Sequence, residues 1–256
     1  MPIPRRFVPL IVLAYAGLLN ACSTAGGARA AADDENDPFE TLNRGVFAFN
    51  EGFDKHIVKP VAQAYDAVLH DDLKAIVTRV FTNLSMPTVV INDLLQGKLQ
   101  QTGQDTARFV INSTLGFAGM FDAAVDFGLP ANEEDFGQTL GVWGVADGPY
   151  LVLPIIGPKN MRDGLGWVVD QFTYPLNYID DKTVLWGGYV VDVVDRRANF
   201  LPSDKVLEQA AGDDKYLFVR EAYRQRRRNL IYDGNPPKEE FVFDEPAAPA
   251  SADPKR

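Results

Sequence analysis

The chain has 256 residues, 46% of them hydrophobic, and a formal net charge of −10. That length supports one large domain or two small ones, and the apolar content excludes a wholly disordered polymer. The acidity argues against a nucleic-acid binder, which needs a basic footprint, and against a surface held electrostatically on anionic lipid.

Taken in chain order, the first feature is a basic pair, Arg5 and Arg6, followed by an apolar run from Phe7 to Leu19. This is the pattern of a secretory signal peptide, and the run is too short for a comfortable membrane span. It ends at Leu19-Asn20-Ala21-Cys22, which holds the only cysteine of the chain. Those four residues resemble the lipobox of bacterial lipoproteins. The resemblance implies a signal segment 1–21, cleavage between Ala21 and Cys22, and lipid attached to Cys22. It also implies sorting to the outer membrane, because Ser23 stands where an inner-membrane retention signal has Asp. The alternative is an ordinary secreted protein with a stray thiol. With Cys22 acylated, no thiol remains for a disulfide. Residues 22–36, small and then acidic, read as a flexible lipidated tether.

Asp37-Pro38-Phe39-Glu40 predicts a helix start, with Asp37 and Glu40 forming a capping box and Pro38 at the first helical position. The stripe Phe39, Leu42, Val46, Phe49 and Phe53 steps as one helix face, expected to be buried. Pro60 should stop or kink this helix, with a second one over Val61 to Leu69. Helical stretches follow over Leu73 to Leu84, Val89 to Leu99 and Thr106 to Phe121. Their apolar faces are broad, which fits either a buried core or contact with lipid.

Gly137, Gly141, Gly144 and Gly148 step by 4, 3, 4. In a helix they would form one stripe for close backbone contact; otherwise they are loop glycines supplying positive φ. Tyr150 to Ile156, with Pro154 inside, suits an edge strand or hairpin arm. Arg162 to Gln171 reads as helix, and Val184 to Val194 is apolar all round. Ser203 should cap a short helix that Gly212 ends. Asp213 should cap a longer one, with the stripe Tyr216, Val219, Tyr223 and Leu230. Its second half carries Arg220, Arg224, Arg226, Arg227 and Arg228, either a solvated helix end or a face for an acidic partner or lipid headgroups. Gly234, Pro236 and Pro237 end that helix, so the main domain runs over 37–234. Residues 235–256 read as a disordered acidic Pro/Ala tail.

No catalytic motif emerges. There is no Gly-x-Ser-x-Gly elbow, phosphate loop or dinucleotide fingerprint. His56 and His70 have no partner at metal-ligand spacing. Glu133-Glu134-Asp135 reads more simply as the acidic first turn of a helix than as an acid–base pair. No cofactor, metal or catalytic residue is expected. A lipid hydrolase or acyltransferase would need a nucleophile and base that the sequence does not pair.

Several motifs together resemble the MlaA (VacJ) lipoprotein family. They are Asp37-Pro-Phe-Glu-Thr-Leu-Asn-Arg-Gly-Val-Phe-Ala-Phe-Asn50, Asn83-Leu-Ser-Met-Pro87, Asn92-Asp-Leu-Leu-Gln-Gly97 and Arg108-Phe-Val-Ile-Asn112. Glu134-Asp-Phe-Gly-Gln-Thr-Leu-Gly141, Gly148-Pro-Tyr-Leu-Val-Leu-Pro-Ile-Ile-Gly-Pro158 and Arg162-Asp-Gly164 continue the series. Lys159 departs from the Ser usual in the family after the second Gly-Pro. The resemblance implies a mainly α, ring- or disc-shaped domain embedded in one leaflet of the outer membrane, with a short hairpin-like segment near 150–158. It implies an amphipathic channel that removes mislocalised phospholipids from the outer leaflet. It further implies partnership with trimeric porins and a soluble periplasmic lipid carrier. A structural porin-associated lipoprotein without transport is the rival. Asn43, Arg44 and Asn50 of the first motif are candidate channel positions, with structural hydrogen bonding the equal alternative; Gly137, Gly141, Gly144 and Gly148 join them as candidates.

Overall fold

The computed structural model describes residues 37–237. The signal segment, Ala21, Cys22, the tether and the tail beyond 237 lie outside the described residues. The architecture is mainly α, with one two-stranded antiparallel hairpin. Helix α1 (Glu40–Phe53) passes through a π-helical turn (Asp54–Val58) into α2 (Lys59–Val68). Then come α3 (Asp71–Leu95), α4 (Leu99–Thr114) and the short α5 (Phe136–Val142). Strands β1 (Tyr150–Leu153) and β2 (Gly157–Asn160) lead into α6 (Met161–Asp170). Helices α7 (Lys182–Phe200), α8 (Asp204–Ala210) and α9 (Lys215–Ile231) complete the described chain.

Several boundaries differ from the sequence expectation. Of the stop or kink expected at Pro60, there is no stop: helical chain continues past it through an irregular π turn. Pro60 sits in the first turn of α2 directly after the π turn, and such a bulge absorbs the irregularity that Pro imposes. Residues 73–84 and 89–95 are one helix, not two, with Pro87 inside it. An interior Pro costs roughly 3 kcal/mol; the packing of Met86, Thr88 and Val89, all buried beside it, offsets that cost. Helix α4 begins seven residues before Thr106 and ends at Thr114. Residues 116–121 turn instead of continuing, with Phe117, Ala118 and Gly119 at positive φ. The last helix is capped by Asp214, which accepts from Leu217 N, in place of Asp213. Ser203 makes no side-chain cap.

Asp37 is not a cap either. Helix α1 starts at Glu40 behind Phe39, with no side-chain cap, and the Asp37 carboxylate turns inward. The apolar stripe of α1 is only partly buried: Leu42 and Phe49 are 44% and 55% exposed, Phe39, Val46 and Phe53 are half-buried, and the fully buried residue of the helix is Asn43. The hairpin matches expectation. Its register pairs Tyr150 with Asn160 and Leu153 with Gly157. Tyr150 and Val152 pack with Tyr216 of α9 and with Val46 and Phe47 of α1, forming the apolar core cluster.

Element contacts run in a closed circuit. α1 packs on β1, β1 pairs with β2, and β2 meets α9 and α6. α9 and α6 pack on α5, α5 on α3, α3 on α7, and α7 on α2, which continues back to α1. Helix α4 lies against α3 on this circuit.

Candidate functional site: a polar interior

The interior of this fold is polar. Among the described residues, the largest side chains with almost no exposure are Tyr150, Gln138, Asn43, Asn92, Thr139, Asp93, Asp105 and Asp195. Large apolar side chains point outward instead. Trp186, Val190 and Phe200 of α7 are exposed, as are Leu94 of α3, Leu99 and Val110 of α4, and Phe117, Phe121 and Phe127 beyond it. A water-soluble domain sorts its residues the other way, and an exposed apolar surface this wide needs a partner of its own kind. No described helix is long and apolar enough to cross a membrane.

Two asparagines explain how α1 holds the hairpin. Asn43 donates from Nδ2 to Tyr150 O at 2.9 Å, and its Oδ1 accepts from Val152 N at 2.9 Å. Asn50, two turns on, donates to Leu153 O at 3.0 Å and accepts from Ile155 N at 2.7 Å. The two side chains stand in for a neighbouring strand along the free edge of β1, satisfying backbone groups that would otherwise be unpaired. Arg44 forms bonds of 2.6 Å to Glu40 and 2.7 Å to Asp214, and lies 4.4 Å from the Tyr216 ring centroid. Asn43, Arg44 and Asn50 thus all make hydrogen bonds within the fold.

Behind the hairpin sit two buried ion clusters on α9. In the first, Asp37 accepts from Asn43 Nδ2, from Tyr216 OH and from Arg220 Nη1. In the second, Arg227 bonds Asp135 at 2.5 Å and Asp163 at 2.7 Å. Tyr223 OH donates to Asp163 at 2.5 Å. Burial, then the neighbouring carboxylate, pushes both tyrosine hydroxyls well above their usual range. Arg220 and Arg227 are therefore internal ties and not part of a solvated helix end. Arg226, paired with Glu133 at 2.6 Å, and Arg228 line an open groove of about 640 Å³ with Pro236 and Pro237.

The glycine stripe is half helix and half loop. Gly137 and Gly141 lie in α5, whereas Gly144 and Gly148 have φ of 85° and 66° in the following loop. A Cβ on Gly137 would stand 2.7 Å from Asp163 Oδ1 and 2.9 Å from Arg227 Nη2, so this glycine lets the second ion cluster close over α5. A Cβ on Gly141 would stand 3.0 Å from Ile231 Cδ1 and 3.2 Å from Arg162 Nη1. The acidic triplet divides its labour. Asp135 caps α5 through Gln138 N, Glu134 is buried against Lys98 and Gln96, and Glu133 meets Arg226.

A third network joins α3, α5 and α6. Thr139 Oγ1 donates to Asn92 Oδ1 at 2.8 Å, and Asn92 Nδ2 donates to Asp170 Oδ1 at 3.1 Å. Asp170 also accepts from Phe136 N. Burial raises Asp170 to about 6, against the help of that backbone N–H. On the far side, Arg108 clamps both oxygens of Asp122 at 2.9 Å, and Asn112 adds a third bond. Sequence reasoning passed over Asp105 and Asp170, and took in Asp93 and Asp163 only as letters of family motifs, with no role assigned. For Asp93 and Asp170 the signal was a polar letter at an apolar helical run, where a charge is retained for an internal partner; Asp105 and Asp163 stand among polar neighbours and carried no such mark.

The enclosed cavity of about 40 Å³ between Asp147, Gly148, Tyr150, Asn160, Tyr223, Arg224 and Arg227 has room for water, not for a lipid headgroup. Among the described residues, no three His, Cys, Asp or Glu side chains converge on a metal position.

The sequence pattern of the MlaA lipoproteins matches residues 35–230. A protein of Rickettsia felis is 39% identical over 202 residues, covering 78% of this chain and 80% of its own. The intermembrane phospholipid transport system lipoprotein MlaA of Escherichia coli K12 is 34% identical over 213 residues, 82% of each chain. A solved structure on the structural basis for maintenance of bacterial outer membrane lipid asymmetry contains a chain that superposes with a TM-score of 0.68 at 33% identity. That match covers 78% of this chain and 99% of the other.

Proposed function

Because the chain belongs to the MlaA lipoprotein family, we propose that it is a lipid-anchored outer-membrane protein that transports phospholipid between membranes and so maintains outer-membrane lipid asymmetry. In this reading it lies in the periplasmic leaflet, held by acyl chains on Cys22 and by its outward apolar side chains. It takes mislocalised phospholipid from the outer leaflet through a polar-walled passage and passes it to a soluble periplasmic carrier, in association with trimeric porins. The process needs no covalent chemistry.

The observation that supports the reading is the inverted sorting of side chains, with polar groups buried and paired and many large apolar ones exposed. Moving a charged headgroup through hydrocarbon is costly without polar partners. A ring of fixed dipoles lowers that cost, while apolar outer faces keep the ring itself in the lipid. Anchoring by several acyl chains is stable, at ~0.8 kcal/mol per buried methylene.

Cells lacking the protein test the reading. Their outer leaflet should accumulate phospholipid, measured by a surface acylating enzyme, and the full-length gene should reverse it. Purified acylated protein should retain phospholipid in detergent. A protein that retains none, and whose loss disturbs porin association without changing lipid asymmetry, is instead a structural lipoprotein of the porins.

A further inference from the structure

The last described residues turn back along α9 instead of leaving the fold. Asp233 and Gly234 both have left-handed φ, 49° and 82°. Gly234 N donates to Asn229 O at 2.8 Å and Asn235 N to Tyr232 O at 2.9 Å, closing the helix end. Lys98 Nζ pins the turn through Asp233 Oδ1 at 2.5 Å. Past the turn, Pro237 O accepts from Arg228 Nη2 at 2.7 Å, and Pro236 and Pro237 border the open groove along α9. Chain beyond Pro237 therefore starts beside Arg228 and heads toward the N-terminal end of the helix.

The ridge it meets is the face of α9 opposite the two buried ion clusters. Tyr216, Arg220, Tyr223 and Arg227 hold the inner side, whereas Ala222, Gln225 and Asn229 recur at helical spacing on the outer one and are exposed. Phe218, half-buried, lies one turn earlier on the same ridge. Arg226 and Arg228 stand on either side of it. A guanidinium carries five N–H donors, and the bond of Arg226 to Glu133 uses one of them.

The sequence that follows, Lys238-Glu-Glu-Phe-Val-Phe-Asp-Glu245, carries four carboxylates and one ammonium around an apolar triplet. Its charge complements the flanking arginines, and its phenylalanines match the apolar end of the ridge. Its reach also fits. The ~20 Å of α9 between Arg228 and Lys215 is the span that residues 238–243 cover when extended, at ~3.3 Å each. An extended chain sets Glu239, Phe241 and Phe243 on one side.

We propose that segment 238–245 docks antiparallel along this ridge, with Glu239 and Glu240 against the arginines and Phe241 and Phe243 over Phe218 and Ala222. Tethered at Pro237, the segment faces the groove at an effective concentration on the order of mM, an advantage that no free acidic partner shares. The docked tail covers the arginine face of α9, so an acidic partner or headgroup reaches Arg226 only by displacing it.

The test is photo-crosslinking of the full chain, in membranes and purified in detergent, with benzoylphenylalanine in place of Phe241. This exchanges one aromatic for another and leaves the described residues unchanged. The adduct should run as a monomer, and mass spectrometry should place it on the α9 peptide that holds Phe218, Ala222 and Gln225. The same probe at Ala250 should give little of it. Glu239→Lys with Glu240→Lys should lower the yield roughly 5-fold, the effect of two exposed ion pairs. An adduct on a second copy, on another protein or on lipid would name a different occupant and overturn the proposal. So would the lack of an adduct on α9, or a yield that the charge reversal leaves unchanged.

Discussion

Gly166 of α6 lies against the backbone of Gly137 in α5 so closely that a Cβ on it would stand 2.3 Å from the Gly137 nitrogen and 2.7 Å from its Cα. Backbone cannot yield as a flexible side chain can. Gly166→Ala should therefore force α5 and α6 apart and cost at least the ~1–3 kcal/mol typical of overpacking. It should also loosen the Arg227 cluster that closes over Gly137. Gly45 in α1 is the control: nothing lies within 4 Å of its Cβ position. Gly45→Ala should stabilise by about 0.4–1 kcal/mol. Thermal unfolding of both variants in detergent checks the pair; a neutral Gly166→Ala would show that the helices can separate freely.

The first helix should obey its polar face more than its apolar one. Asp37 serves Asn43, Tyr216 and Arg220 together, so Asp37→Ala should cost about 3–5 kcal/mol as a broken buried ion pair, not the ~1 kcal/mol of a lost cap. Asn43→Leu strands Tyr150 O and Val152 N and should cost roughly 2–3 kcal/mol. Phe49, 55% exposed and stacked on Phe53, should cost well under the ~3–5 kcal/mol of a buried Phe→Ala. Chemical denaturation of the three variants gives the order; Phe49→Ala as the worst of them would refute it.

Asp170 predicts a pH response of its own. Its folded value is raised to about 6 by burial, so its contribution is greatest below ~4 and falls as pH rises through about 6. Asp170→Asn keeps an acceptor for Phe136 N while removing the charge. It should be more stable than wild type at neutral pH, by about 1–2 kcal/mol after allowing for partial exposure. The two should converge near pH 4. Melting temperatures across that range measure this, and parallel curves would rule it out.

Cys22 offers a covalent test. Mass spectrometry of the mature protein should find its N-terminus at Cys22 carrying diacylglycerol and an acylated amine, and Cys22→Ser should release the domain from the membrane fraction. A mature start elsewhere, or an unmodified thiol, would remove the anchor from the proposed function.

Local letters were enough for much of this architecture. The hairpin near 150–158, the helices after it and the acidic cap of α5 follow from Pro, Gly and Asp acting on their nearest neighbours. The family motifs marked Asn43, Asn50, Arg162 and Gly137, whose surroundings are now explicit. What only the tertiary structure decided is which side of each helix faces in. Periodicity marks an apolar stripe but cannot tell a protein core from lipid, because hydrocarbon is as apolar as leucine. Phe49 and Trp186 were thus legible as apolar and illegible as exposed. The same holds for partners distant in sequence. Asp37 meets Arg220 across 183 positions, and Asp135 meets Arg227 across 92. Pro60 was read as a stop or kink because local sterics say so, and a π turn carries the helix past it; the helices expected over 73–84 and 89–99 merge through Pro87, where buried neighbours pack on both sides. Charge pairing and helix continuity are set by what the closed circuit of elements brings together, and that closure is not written in any one segment.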